Sequence, residues 1–176
     1  MFAEALPFIL KEEGGYVNDP QDSGGATNRG ITQKTYDAFR KSQGHEERSV
    51  QHLTKAETSK IYSDIWTSCK ASELPAGLNV LHFDFAINAG NKQAAKILQR
   101  TVNVEEDGII GPITMTKVKS SNAEDLIYEY SELRKEFYRG LATARPKDLK
   151  FLKGWLLRTN RATRLALSMI KKERSA

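Results

Sequence analysis

Residues 78–89 read LNVLHFDFAINA. Twelve residues with apolar side chains nearly all the way round have no solvent face to offer. Such a segment is predicted to be a helix surrounded by other elements. A 176-residue chain is long enough to supply them, with one sizeable core or a core plus a smaller module. The rest of the chain offers mainly helices. Phe2, Leu6, Ile9 and Leu10 recur at helical spacing, predicting a helix over 2–13 that ends at Gly14. Thr32 is placed to cap a short helix carrying Tyr36 and Phe39. Thr54-Lys55-Ala56-Glu57 is a capping-box pattern ahead of Ile61, Tyr62, Ile65 and Trp66. Gly90 suits the end of the apolar helix and Asn91 the cap of the next, which runs to about Val102. Pro112 suits a first helical turn. A long helix then carries Leu126, Ile127, Tyr130, Leu133, Phe137 and Leu141, and Pro146 separates it from a last helix over roughly 148–172. Alternating strand patterns are missing, apart from room for a small β-element within 14–31. The expected class is all-α.

Composition narrows the setting. Hydrophobic residues are 39% and charged residues 28%, a globular balance. Cys69 is the only cysteine, which excludes an internal disulfide. The start, MFAEALPFILKEE, has no basic segment before its apolar residues, and Glu4 breaks them, so a secretory leader is not expected. No apolar run is long enough to span a bilayer. The net charge of +5 is uneven: residues 145–176 hold ten Lys/Arg against two acids, leaving −3 for the rest. That basic tail would attract a polyanion, whether cell wall, anionic lipid or nucleic acid, or serve as a solvated helix face. Arg158, Arg161 and Arg164 share a helix face, but no nucleic-acid reader motif accompanies them. A nucleic-acid partner is therefore not expected. The three histidines and one cysteine show no metal-ligand spacing, and neither a calcium loop nor a phosphate-binding glycine fingerprint is present, so neither metal nor cofactor is expected.

The chemistry is concentrated in KEEGGYVNDPQDSGGATNRGIT, residues 11–32. This stretch is too polar for a core and longer than an ordinary connection. Glu13 falls where the first helix ends, and a carboxyl there meets the negative end of the helix dipole, which favours its protonated form. An acid that protonates a leaving oxygen needs such a setting. Asp22 lies nine residues on and could face Glu13 across a bound chain, or hold the loop by an Asx turn. Asn18, Thr27, Asn28 and Thr32 supply neutral hydrogen-bonding groups, and Tyr16 a ring face and a hydroxyl. Two carboxylates among such groups suit a sugar polymer. Asn88, in the apolar helix, could touch sugar or bond within the core. His82 is expected to be a satisfied core residue, and Trp66 and Trp155 core rings.

Glu13-Gly14-Gly15-Tyr16-Val17-Asn18-Asp19-Pro20, followed by Asp22-Ser23-Gly24-Gly25-Ala26-Thr27-Asn28-Arg29-Gly30-Ile31-Thr32, closely resembles glycoside hydrolase family 108, the phage endolysins and related bacterial N-acetylmuramidases. His82–Gly90 resembles the family's central helix. Asp107–Thr114 and Phe151–Leu156 resemble the peptidoglycan-binding module that usually follows. The resemblance covers about residues 3–170 and implies a lysozyme-like helical fold. It implies a catalytic domain over 1–92 and a closely packed helical peptidoglycan-binding module over 93–176. The implied activity is hydrolysis of the β-1,4 bond between N-acetylmuramic acid and N-acetylglucosamine, with Glu13 as the essential acid. Asp22 matches the family's downstream Asp in spacing and Thr27 its Thr approximately; no nucleophile is carried over. The alternatives are a lytic transglycosylase on the same glycan and a non-catalytic peptidoglycan-binding protein. Without a secretory leader, the chain is expected to be made in the cytoplasm, released by a holin or a dedicated exporter, and to act in the periplasm or cell wall; a monomer is expected.

Overall fold

The computed structural model describes residues 1–18 and 25–174. Its described elements are helical apart from one small sheet, as the all-α expectation required. They divide into two compact units, residues 3–64 and residues 1–2 with 65–176.

In the smaller unit, helix α1 (Phe2–Glu13) ends where Gly14 turns to φ +72°. Three two-residue strands follow: β1 (Tyr16–Val17), β2 (Thr27–Asn28) and β3 (Ile31–Thr32), in the antiparallel order β1-β2-β3. Asn28 pairs with Ile31, so Arg29 and Gly30 alone form the β2–β3 turn. Both have positive φ, +51° and +75°. That is the backbone of a type I′ hairpin, whose twist matches the strands it joins. Thr32 then caps α2 (Gln33–Ser42), its hydroxyl accepting from Thr35 N. Helix α3 (Lys55–Ser68) begins with the expected reciprocal box. Glu57 accepts from the Thr54 amide and hydroxyl at 2.9 and 2.8 Å, and Thr54 Oγ1 accepts from Glu57 N.

Glu57 does more than cap. Its carboxylate also accepts from Tyr36 Oη at 2.9 Å, Arg40 at 3.1 Å and Arg48 at 2.7 Å. Partial burial works to raise its pKa, but the Thr54 hydrogen bonds, the Tyr36 hydroxyl and the Arg48 charge outweigh it and hold the group at about 2. One side chain thus fastens α2 and the 43–54 connection to α3.

The larger unit is built round α4 (Leu78–Ala89), whose first nine residues are all buried. It packs against α5 (Asn91–Thr101), α7 (Ala123–Ala144) and α8 (Leu149–Arg174); α6 (Pro112–Ser120) starts on its proline. Gly90, not Asn91, occupies the N-cap of α5. Asn91 opens the helix instead and donates its amide to Ser68 Oγ at 2.9 Å. Phe85 meets Tyr130, Phe137 and Tyr138 edge-on, and Trp66 meets Phe2 and Phe83 likewise. Trp155 is half-buried and stacks on Tyr138 at 5.0 Å. His82 is fully buried, bonded through its ring nitrogens to Tyr130 Oη and the Cys69 carbonyl.

Asp84 is also fully buried. Arg134, itself 0% exposed, pairs with its Oδ2 at 2.7 Å, and Arg158 with its Oδ1 at 2.7 Å. The Arg134 guanidinium lies 5.1 Å from the Phe85 centroid and 5.6 Å from that of Tyr138, so ring faces cover what the carboxylate does not. Arg158 therefore does not share a solvated tail face with Arg161 and Arg164. It is an internal ion-pair partner binding α8 to α4.

Candidate active site

Glu13 is the last residue of α1 and is half-buried. Its side chain folds onto the hairpin turn. A Cβ built on Gly30 would lie 2.6 Å from Glu13 Cδ and 2.7 Å from Cγ, so only glycine leaves room for this carboxyl. Helix end and hairpin turn place the acid together, and the turn is itself anchored. Tyr62 Oη donates to the Arg29 carbonyl at 2.6 Å, and Arg29 Nη1 donates to Thr58 Oγ1 at 3.1 Å.

Beside this contact is a cavity of about 300 Å³. Leu6 and Leu10, two and one helical turns before Glu13 on its own face of α1, make the apolar wall, and Gly14 and Arg29 continue it next to Glu13 and Gly30. Lys55, Thr58 and Ser59 from α3 complete it. Apolar surface suits a sugar ring face, the Ser59 hydroxyl suits sugar oxygens, and the two cations suit an anionic substituent, while Thr58, 2% exposed, spends its hydroxyl on the Thr54 carbonyl and Arg29.

The other expected site residues fall as follows. Asp22 lies outside the described residues. Tyr16 and Asn18 are exposed on and just after β1, and Thr27 is half-buried on β2. Asn28 is 8% exposed and donates its amide to the Val50 and Gln51 carbonyls at 3.0 and 3.3 Å. It ties the hairpin to the 50–52 turn. Thr32 is engaged as the α2 cap. Asn88 belongs to the larger unit, exposed at the end of α4, where its Oδ1 accepts from Tyr138 Oη at 3.2 Å. Sequence reasoning passed over Arg29, Lys55, Thr58 and Ser59. The signal for Arg29 was Thr-Asn-Arg-Gly-Ile-Thr, with β-favouring Thr27, Ile31 and Thr32 around a two-residue turn with glycine; the other three carry none. Among the described residues, no group of His, Cys, Asp and Glu is arranged to hold a metal ion.

A family model described as Glycosyl hydrolase 108 matches residues 6–90, and one described as Predicted Peptidoglycan domain matches 93–160. A solved structure, "Structure of Brucella abortus SagA", is 38% identical over 96% of this chain and 94% of that one, with a TM-score of 0.83. The chain belongs to glycoside hydrolase family 108. Among curated proteins none matches. This family 108 member is a lysozyme-type glycoside hydrolase, a muramidase acting on peptidoglycan, and has the lysozyme-like helical fold. The match to the peptidoglycan domain starts three residues after the hydrolase match stops, whereas the compact units of the enzyme part at 64/65. No helix among the described residues is long and apolar enough to cross a membrane.

Proposed function

We propose that Glu13 is the general acid of this muramidase. The observation that carries the reading is the seating of its carboxyl on Gly30 beside the 300 Å³ cavity. A carboxyl at that place can deliver a proton to the glycosidic oxygen as positive charge develops on the muramic acid ring. Leu6 and Leu10 would meet a sugar face, Ser59 its oxygens, and Arg29 and Lys55 the anionic lactyl–peptide substituent. Water then attacks, placed by Asp22 or Thr27. Tyr16, Asn18 and Thr32 are proposed to extend the glycan-binding surface from the β-element.

The functional division is proposed to follow the family boundary. Residues 1–92 carry cleavage and 93–176 hold peptidoglycan, with Asn88 at the end of the first part. Delivery to the wall by a holin or a dedicated exporter, and action as a monomer, belong to the same proposal.

The test is digestion of purified peptidoglycan by wild type and Glu13→Gln, with mass spectrometry of the soluble fragments. Reducing muramic acid ends from wild type, lost in the variant, are expected. Anhydro ends would replace hydrolysis by transglycosylation, and unchanged release by Glu13→Gln would remove Glu13 from the acid's role.

A further inference from the structure

A larger cavity, about 430 Å³, lies in the other unit and takes no part in the chemistry above. Ser68 and Lys70, at and after the end of α3, form one side; Asn91 and Lys92, the first turn of α5, form another. The Asp107–Ile110 loop closes it.

That loop is held rigidly. Gln99, 2% exposed, donates to Asp107 Oδ1 at 2.6 Å and to the Ile109 carbonyl at 3.1 Å, and accepts from Gly108 N at 2.8 Å. Asp107 Oδ1 accepts from Ile109 N as well, at 2.7 Å. Gly108 has φ +80°, and a Cβ there would lie 2.8 Å from Lys92 Cγ, so the loop is folded down on the Lys92 stem. The Gln99 hydrogen bond, with that of the Ile109 amide, keeps the Asp107 carboxyl below its ordinary pKa. Its negative charge is thus committed to holding the loop.

The outcome of this bracing is unfavourable for the free protein. Ile109 is 70% exposed on this braced loop, and Ile113, in the first turn of α6, is 74% exposed. Lys92 makes no ion pair among the described residues, and Lys70 only a 3.8 Å approach to the exposed Glu73. The first turn of α5, capped by Gly90 with no side-chain bond, adds the positive end of a helix dipole. A preorganised loop, two available lysines and a bare isoleucine at one cavity describe a site for an anionic ligand with small apolar groups. Among the described residues no aromatic ring lines the cavity, so they offer no stacking platform for a sugar.

We propose that this cavity binds the acidic stem peptide of peptidoglycan, its carboxylates on Lys70 and Lys92 and its alanine methyls against Ile109. The assignment rests on peptidoglycan being the substrate, but not on the role of Glu13. It would give the enzyme a hold on peptide-bearing strands separate from the cleft that cleaves the glycan.

The experiment uses the full chain, labelled with nitrogen-15 and titrated with three probes: free stem peptide, a disaccharide bearing it, and the peptide-free disaccharide. The two peptide-bearing probes are expected to shift the amides of Lys70, Asn91, Lys92, Gly108 and Ile109, and the bare disaccharide to leave them in place. Lys70→Glu with Lys92→Glu should weaken peptide binding about tenfold or more, with added salt weakening the wild type likewise. Ile109→Ala, a truncation of an exposed side chain, supplies a second variant whose folding is not at risk and should weaken binding severalfold. All variants should cleave peptide-free glycan at the wild-type rate, which separates this site from the active site. Absence of peptide-induced shifts in wild type, equal shifts from the bare disaccharide, or undiminished binding by both variants would overturn the proposal.

Discussion

Replacing Gly30 by alanine should separate the placement of Glu13 from the stability of the fold. At φ +75° an L-residue carries a penalty of about 1–2 kcal/mol. For a chain of this size each kcal/mol lowers Tm by about 2–4 °C, so the variant should remain folded. The added Cβ would stand 2.6 Å from Glu13 Cδ, whereas carbons rest about 3.5–4.0 Å apart. The carboxyl must therefore retreat by roughly 1 Å, and because it ends a flexible side chain it will do so rather than break the hairpin. A displacement of about 1 Å in a catalytic group costs on the order of a hundredfold in rate. The assay is release of reducing ends from purified peptidoglycan, resolved into kcat and KM, beside thermal melts. Gly44→Ala is the control, since its φ is +73° but nothing lies within 4 Å of the new Cβ. Both variants should lose similar stability, and only Gly30→Ala should lose kcat. A Gly30→Ala enzyme within about threefold of wild type in kcat, while its Tm falls as expected, would refute the claim that the turn positions the acid.

Asp84→Asn leaves Arg134 buried without its counter-charge, and urea unfolding should show a loss of about 3–5 kcal/mol; a loss below about 1 kcal/mol would mean that the aromatic rings alone hold the guanidinium. Burial pushes the His82 imidazole down to about 4 from an ordinary value of 6.5. Protonation thus favours the unfolded chain, and the stability tied to neutral His82, complete above pH 6.5, is lost as pH falls through that window toward 4. Melts across this range should show the decline in wild type and a flatter profile in a folded His82→Gln variant. Glu57 acts further into acid: its contribution is present above the ordinary carboxyl range and disappears as pH falls toward 2, and Glu57→Gln should remove that limb of the curve.

The helices were legible because their signals are local. Gly14, the Thr54–Glu57 box and Pro112 act within a turn or two of where they stand, and the structure places α1, α3 and α6 accordingly. The Asn91 cap failed for an equally local reason: Gly90 already serves as both the end of α4 and the N-cap of α5. The hairpin was half legible, since two-residue strands offer little alternation to read and Asn28 turned out to be buried.

Sequence alone carried the helix boundaries, the buried nature of α4, the family motif and, through it, Glu13 as candidate acid. These depend on neighbouring residues or on an ordered string of them. The fold decided which charges are internal, why residue 30 must be glycine, and where the two cavities lie. Asp84 meets Arg134 and Arg158 from 50 and 74 residues away, and Asn28 meets Val50 from 22. Such pairings depend on how whole helices pack, and an arginine in a basic tail reads the same whether it ends in solvent or on a buried carboxylate.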